Sequence, residues 1–521
     1  MRHLKILFFL VFAVSIQQIE GYRILCLFPY SGQSHQRMFE TLCKGLATKG
    51  HQIDMISHFP SKTPVANYTD VVDLRGTTKS VVNSLSIETA KKFRDPVIYY
   101  LTKDFGAPVC DLMGSEVFQN FISNPPNDPP YDLIITEYFG SPCYLGVGYR
   151  LKTPVAIAVS FLDMPFVDDF MGSPISYAFF SGGFNEKTVI NTFYDRLTNF
   201  LQSFVDLNKF YYYSSSHTEI MRKYLGQDVP DVRELEKSVV LALVNGHYSI
   251  TGVRPLTPGI VDVGGLHVLS DNSTLTPALK SWLDSAEHGV VYFTLGSLIK
   301  IETLPKDRVL GLYASFAKIA PVKILMKSTN TTRLPPGLPS NVMTLPWIPQ
   351  VPVLSHKNTR AFITHGGLMG LQEALYYGVP LIGIPVFADQ MRNIDILMNK
   401  NVAAKINDDE INERTMDAAL NAVLYDPKYK ESATRLSKVF RDRPLSPMDT
   451  ATYWIEYVIR NGVEPLRSPA MDLPWWKLHL LDVLAFLALC SSLGVYLLIV
   501  LLKIVLKKLQ NDDAKSTKKF N

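Results

Sequence analysis

The hydrophobic pattern changes period along the chain, and each change marks an element. Tyr22 to Pro29 is an apolar run of strand length, followed by the polar turn Tyr30-Ser31-Gly32-Gln33-Ser34-His35. Met38, Leu42 and Leu46 then recur at helical spacing until Gly50, and Ile53 to Ile56 begins another strand, so the pattern predicts a strand-helix-strand start. Tyr131 to Glu137 is a further apolar run with an acid at its end. Gly289 to Ser297 reads as a buried strand entering a glycine turn. Arg360 to Thr364 reads as a strand that breaks at His365-Gly366-Gly367 before helix spacing at Leu371, Ala374 and Leu375. Pro447 to Arg460 carries helix spacing at Ala451, Trp454, Ile455 and Val458. Alternation of this kind builds parallel sheets. With 521 residues and 47% hydrophobic content, the chain can bury two cores.

Two of the predicted turns are suited to chemistry. In open parallel sheets ligands bind beyond the carboxyl ends of the strands, and His35 falls at such an end, beside a helix N-terminus. The helix dipole there disfavours an imidazolium, which leaves a ring able to take a proton. His365 and two glycines fall at another strand-to-helix turn, where unpaired backbone N–H groups and the positive end of the macrodipole favour a phosphate. His365 can add a donor.

The ends of the chain point to a membrane. Residues Met1 to Ser15 carry Arg2 and Lys5 before a short apolar run, which reads as a secretory signal peptide. Val483 to Leu502 is apolar and of spanning length, with Trp475 and Trp476 before it and Lys503, Lys507 and Lys508 after it. The positive-inside bias puts the tail in the cytosol and the bulk of the chain across the membrane. Asn67, Asn272 and Asn330 open glycosylation sequons that suit such a location. Net charge is only +4, with lysines gathered in the tail, so no nucleic-acid partner is expected. Five cysteines, with Cys490 in the span and Cys26 in a strand, make no disulfide framework, and a single bridge stays open. There is no His-Glu-x-x-His run and no cysteine pair at zinc spacing, so no metal is expected.

The stretch from Trp347-Ile348-Pro349-Gln350 through His365-Gly366-Gly367 and Gln372-Glu373-Ala374 to Phe387-Ala388-Asp389-Gln390 resembles the signature box of the UDP-glycosyltransferases, and has the same length. The pattern around Glu137 and Leu368-Met369-Gly370 is closest to insect members. The resemblance implies an α/β protein of GT-B type, with two facing Rossmann-like domains and a C-terminal transmembrane helix. It implies that Trp347 stacks on the uracil, that Gln350 contacts the nucleoside, and that His365 and the Gly367 amide hold the diphosphate near Thr294 and Ser297. Glu373 is implied to meet the ribose, and Asp389 and Gln390 the sugar hydroxyls. His35 is implied as the general base, oriented by Glu137 where many relatives have Asp. Met369 stands where an Asn often touches phosphate, and Lys327 where an Arg often reaches the nucleotide.

The expected organisation is a signal peptide at 1–21, an acceptor-binding domain at 22–270 and a UDP-sugar-binding domain at 271–445. A crossing helix and juxtamembrane segment then fill 446–477, before a membrane span at 478–502 and a cytosolic tail at 503–521. Lys518-Lys519-Phe520-Asn521 resembles an endoplasmic-reticulum retrieval signal, which with the family implies a single-pass membrane enzyme of that compartment, its catalytic domains lumenal. The expected reaction moves a sugar, glucose by the insect pattern, from a UDP-sugar to a hydroxyl of a small lipophilic acceptor. UDP-sugar is a co-substrate and no cofactor is expected. Aromatic segments, Phe161 to Phe184 and Phe210 to Tyr213, suit such acceptors, although most of these rings are expected in the core rather than against the membrane. A lipid glycosyltransferase and a non-catalytic UDP-sugar-binding partner are the alternatives, and homo- or hetero-oligomer formation is left open.

Overall fold

The structure, a computed structural model, describes residues 21–162, 164–269 and 273–517. The expected signal peptide up to residue 20, the sequon at Asn272 and the retrieval signal at 518–521 lie outside the described residues. The chain divides into two compact units, one ending at Arg467 and the other starting at Ser468.

The first unit holds two wholly parallel sheets. The first sheet comprises β1 (Arg23–Phe28), β2 (Gln52–Ser57), β3 (Tyr68–Asp73), β4 (Leu133–Glu137), β5 (Val155–Val159), β6 (Leu241–Val244) and β7 (Ile260–Asp262). These strands lie in the order β3-β2-β1-β4-β5-β6-β7. The second sheet comprises β8 (Val290–Thr294), β9 (Lys323–Lys327), β10 (Val342–Leu345), β11 (Thr359–Thr364), β12 (Leu381–Gly383) and β13 (Ala403–Lys405), in the order β10-β9-β8-β11-β12-β13. Each order reverses once, between β1 and β4 and between β8 and β11. Those reversals are where open α/β sheets leave a crevice for ligands.

Alternation along the strands explains why both faces of each sheet are covered. In β1, Ile24, Cys26 and Phe28 feed one core cluster and Leu25 and Leu27 another, all fully or almost fully buried. Helix α1 (Gln33–Thr48) covers the first of these faces with Met38, Leu42 and Leu46, the positions whose spacing predicted it. Helix α2 (Phe193–Ser214) lies against the other face through Phe210. On the second sheet α3 (Leu368–Tyr376) buries Leu371, Ala374 and Leu375, and α4 (Gln390–Asn399) buries Ile394 and Leu397. Helix α5 (Pro447–Asn461) then crosses back, placing Ala451, Ile455 and Val458 in the same cluster as Ile24 and Leu42.

Two features were not legible in the sequence. Residues 83–94 leave the first sheet and pack on the second, where Ile87 and Ala90 enter its core and Leu85 bridges to Ile299. Arg94 there bonds Val386 O and Asp408. The bridge left open by the cysteine count is Cys110–Cys143, while Cys26 and Cys43 are buried thiols. Of the aromatics expected in the core, Phe161, Phe166, Phe170, Phe180 and Phe210 are buried, Phe184, Tyr211 and Tyr213 pack against that core while partly buried, and Phe179 and Tyr212 are exposed. The second unit contains α6 (Leu481–Thr517), whose Leu481–Asn511 portion is long and apolar enough to cross a membrane.

Candidate functional site

Both strand-order reversals carry polar side chains. At the first, β1 runs into the turn that opens α1, whose third residue is His35, and β4 ends on the buried Glu137. His35 Nδ1 lies 2.5 Å from Glu137 Oε1. Ser160, just past β5, donates its hydroxyl to the same oxygen at 3.2 Å and lies 3.1 Å from Nδ1. With its Nδ1 proton directed at the carboxylate, the ring keeps Nε2 as its acceptor. Tyr30, Phe139 and Phe161 surround it, their ring centres 4.9, 4.8 and 6.0 Å away. Burial, and secondarily the Glu137 charge, push the Tyr30 phenol up, so it stays protonated. Phe184 lies 5.9 Å beyond Phe161 and lines a small cavity with Phe166 and Leu207. Ser160 was missed from the sequence, because a lone serine after a strand carries no signal of its own.

At the second reversal, the turn after β8 meets the turn after β11. Gly296 has a φ of +81°, and a Cβ there would stand 2.5 Å from His365 Cε1. A Cβ on Gly367 would stand 2.7 Å from His365 Nε2, so only glycines leave room for this ring. His365 Nδ1 is buried without a hydrogen-bond partner among the described residues. Burial, reinforced by the nearby Lys327, lowers the imidazole to about 4, so it is a neutral donor near pH 7 rather than a cation. The cation is Lys327. Its ammonium bonds Gly296 O and Asn83 Oδ1, both at 2.7 Å, and lies 5.1 Å from the Trp347 ring centre. Burial brings Lys327 down to about 8. Asn83 belongs to the excursion from the first sheet, a contact no local pattern announces.

The remaining box residues gather around this turn. Trp347 is 47% exposed, so one large apolar surface is free to stack. Gln350 accepts from the Tyr292 hydroxyl at 3.1 Å and donates to Glu373 at 2.6 Å. Glu373 is buried and also pairs with His267 at 3.4 Å, which excludes a solvated helix position. Burial alone would raise its carboxyl; the His267 bond and charge, Arg37 and Gln350 outweigh that and hold it below the usual range. Ala388 adopts a left-handed φ of +56°, uncommon for a residue with a Cβ, and so turns the chain into α4 at Asp389. Asp389 accepts from Asn393 at 2.6 Å. Burial raises it to about 6 against the opposing pull of Asn393, His35 and Arg392. Asp389 and His35 therefore feel one another across the two sheets.

Two of the expected contacts are already committed within the protein. The Thr294 hydroxyl is buried and accepts from Gly296 N at 3.1 Å, shaping the turn. Gln390 Oε1 accepts from Val386 N and Phe387 N, leaving only its amide nitrogen for a ligand. Ser297 O accepts from Asn83 N at 2.7 Å. Met369 packs toward the first sheet, where Asn245 bonds its sulfur and also Ser160 O. Asn67 and Asn330 are both exposed. Among the described residues no three His, Cys, Asp or Glu side chains cluster as a metal site.

The family model described as "UDP-glucoronosyl and UDP-glucosyl transferase" matches residues 113–516. The chain belongs to this family. The UDP-glycosyltransferase is 33% identical to UDP-glucosyltransferase 2 of Dactylopius coccus over 93% of each chain, and 29% identical to UDP-glucuronosyltransferase 2A3 of Mus musculus over 92% of each. Its fold matches that of Phytolacca americana UGT2, solved with UDP-2-fluoro-glucose and pterostilbene, at a TM-score of 0.57 and 15% identity, covering 84% of this chain and 100% of that one. The GT-B architecture expected from the sequence is the one observed, two parallel Rossmann-like sheets with one C-terminal apolar helix.

Proposed function

We propose that the enzyme transfers glucose from UDP-glucose to the hydroxyl of a small lipophilic acceptor, with inversion at the sugar C1 and His35 as general base. The observation that carries this reading is the His35–Glu137 pair at the first strand-order reversal, within electrostatic reach of Asp389 beside the second. In the reaction Nε2 takes the acceptor proton as the oxygen attacks C1 from the face opposite UDP, and Glu137 offsets the charge gained by the ring.

The donor lies at the second reversal. Trp347 stacks on the uracil, Gln350 contacts the nucleoside and Glu373 accepts from the ribose hydroxyls. The helix-start amide of Gly367, His365 and Lys327 meet the diphosphate, supplying fixed dipoles and a positive charge to the leaving group without a metal. Thr294 and Ser297 shape that turn. Asp389 and the Gln390 amide bond the sugar. Glucose is supported by the 33% identity to a UDP-glucosyltransferase of Dactylopius coccus.

The aromatic recess of Phe139, Phe161 and Phe184 receives the acceptor. The Cys110–Cys143 bridge and the exposed sequons Asn67 and Asn330 support a lumenal site of action in the endoplasmic reticulum. The deciding assay incubates membranes bearing the enzyme with several UDP-sugars and a panel of phenols, detecting conjugates by mass and the anomeric configuration by NMR. A β-glucoside is expected, and a retained α-linkage or a different preferred sugar overturns the corresponding part of the reading.

A further inference from the structure

The first turn of α4 reaches three parts of the molecule at once. Asp389 and Gln390 open the helix, and Arg392, three residues past Asp389, is buried. Its Nε donates to Ser181 O at 3.0 Å and its Nη2 donates to the same oxygen, 211 residues away in the half built on the first sheet. The neighbouring Asn393 donates to Gly366 O at 3.1 Å and to Asp389. One helical turn therefore joins the His365 turn, the carboxylate that the proposed reaction places on the sugar, and a segment of the other half.

That segment has no regular structure to hold it. Residues 171–192 form neither helix nor strand, so their buried carbonyls need partners from elsewhere. Asn199 on α2 supplies two, donating to Tyr177 O at 2.7 Å and to Phe180 O at 2.9 Å, and Arg392 meets the next carbonyl along. The buried Phe180 ring has a cation on each of two contacts, its centre 5.8 Å from Arg392 Cζ and 5.2 Å from Arg254 Cζ. Arg254 is itself paired with the buried Asp168. At the last residue of α4, Asn399 Nδ2 donates to Thr188 Oγ1 at 2.8 Å, so both ends of the helix hold this segment. Three residues past Ser181, Phe184 packs on Phe161, whose ring centre is 6.0 Å from that of His35. Gly182, Gly183 and Phe184 line the small cavity with Phe166 and Leu207. A shift of Ser181 is thus a shift of the wall beside the general base.

We propose that Arg392 is a positioning residue for the acceptor: from the helix turn that carries Asp389 it fixes the Phe180–Phe184 wall, and so sets which hydroxyl compounds fit beside His35. The proposal rests on the reaction assigned above, which puts the acceptor in that recess. Arginine suits the task, because its fork gives two N–H groups to one carbonyl while its flat face lies near a ring. The test compares the full-length enzyme with its Arg392→Met and Arg392→Lys variants in UDP binding, in KM for a small and a bulky phenol, and in amide exchange over residues 178–188. Arg392→Met should raise the acceptor KM about tenfold, unequally for the two phenols, with UDP affinity kept within about twofold, as befits loss of a charge-assisted bond on the acceptor side alone. Exchange over 178–188 should quicken about tenfold as that segment opens locally. Arg392→Lys keeps the charge that Asp389 feels and one donor, and should lie between the two. Wild-type exchange over the segment in Arg392→Met overturns the proposal. So does an equal loss of acceptor and UDP affinity, which marks a general loosening of the fold. Exchange needs no acceptor: an enzyme that glycosylates no phenol refutes the acceptor reading, while the exchange rates still decide whether Arg392 holds the wall.

Discussion

His35 Nδ1 and Glu137 Oε1 lie 2.5 Å apart across the point where the first sheet reverses its strand order. The contact fixes which nitrogen carries the proton and so which one faces the acceptor. Glu137→Gln can donate from its amide to Nδ1, favouring the tautomer with hydrogen on Nε2, which cannot act as base. Turnover is expected to fall roughly 10²- to 10⁴-fold with little change in the KM for UDP-sugar. Glu137→Asp should recover part of the rate. An unchanged kcat in the Gln variant would remove Glu137 from the mechanism.

Trp347 offers its exposed ring beside the Lys327 ammonium, 5.1 Å from the ring centre. Loss of base stacking costs about 1–3 kcal/mol. Trp347→Ala should therefore weaken UDP binding roughly tenfold to a hundredfold in calorimetry, while Trp347→Phe retains most of the affinity.

Asp389 is raised from 3.8 to about 6 by burial. Between those values the folded chain holds more of this proton than the unfolded chain, so the group makes stability fall as pH rises through the window, and the penalty is complete above about 6. Asp389→Asn should raise Tm at pH 7 and lose that advantage toward pH 4, while sugar transfer collapses. In the wild type the KM for the donor should climb as pH falls below about 6, because a protonated carboxyl accepts poorly from sugar hydroxyls.

How much of this was readable depends on the range of the signal. Ile24, Leu42 and Leu371 lie in elements whose period is local, so the strands and helices around His35 and His365 followed from spacing alone. The box from Trp347 to Gln390 is contiguous and carried the donor site as a unit. Ser160, Asn83 and Arg37 were not found, because each acts on a partner distant in sequence: Ser160 on Glu137, Asn83 on Lys327 and Arg37 on Glu373. The aromatic run Phe210 to Tyr213 was visible, but which of its rings face outward depends on what the first sheet packs beneath it.

Cys110 and Cys143 both lie in the core beneath the first sheet. Replacing the pair with Ser should cost about 2–4 kcal/mol of stability, read as a lower midpoint in urea with the non-reduced protein as reference. Glu137 lies within the loop that the bridge closes but is held at the end of β4 in the parallel sheet, so kcat under stable conditions should change little.

The most direct test of the account compares UDP binding and sugar transfer in His35→Ala. The donor site is built from the second sheet and the base from the first, so the variant should bind UDP as tightly as the wild type while transfer falls by at least about 10²-fold. Transfer at the wild-type rate, with binding intact, would contradict the assignment of His35 as base.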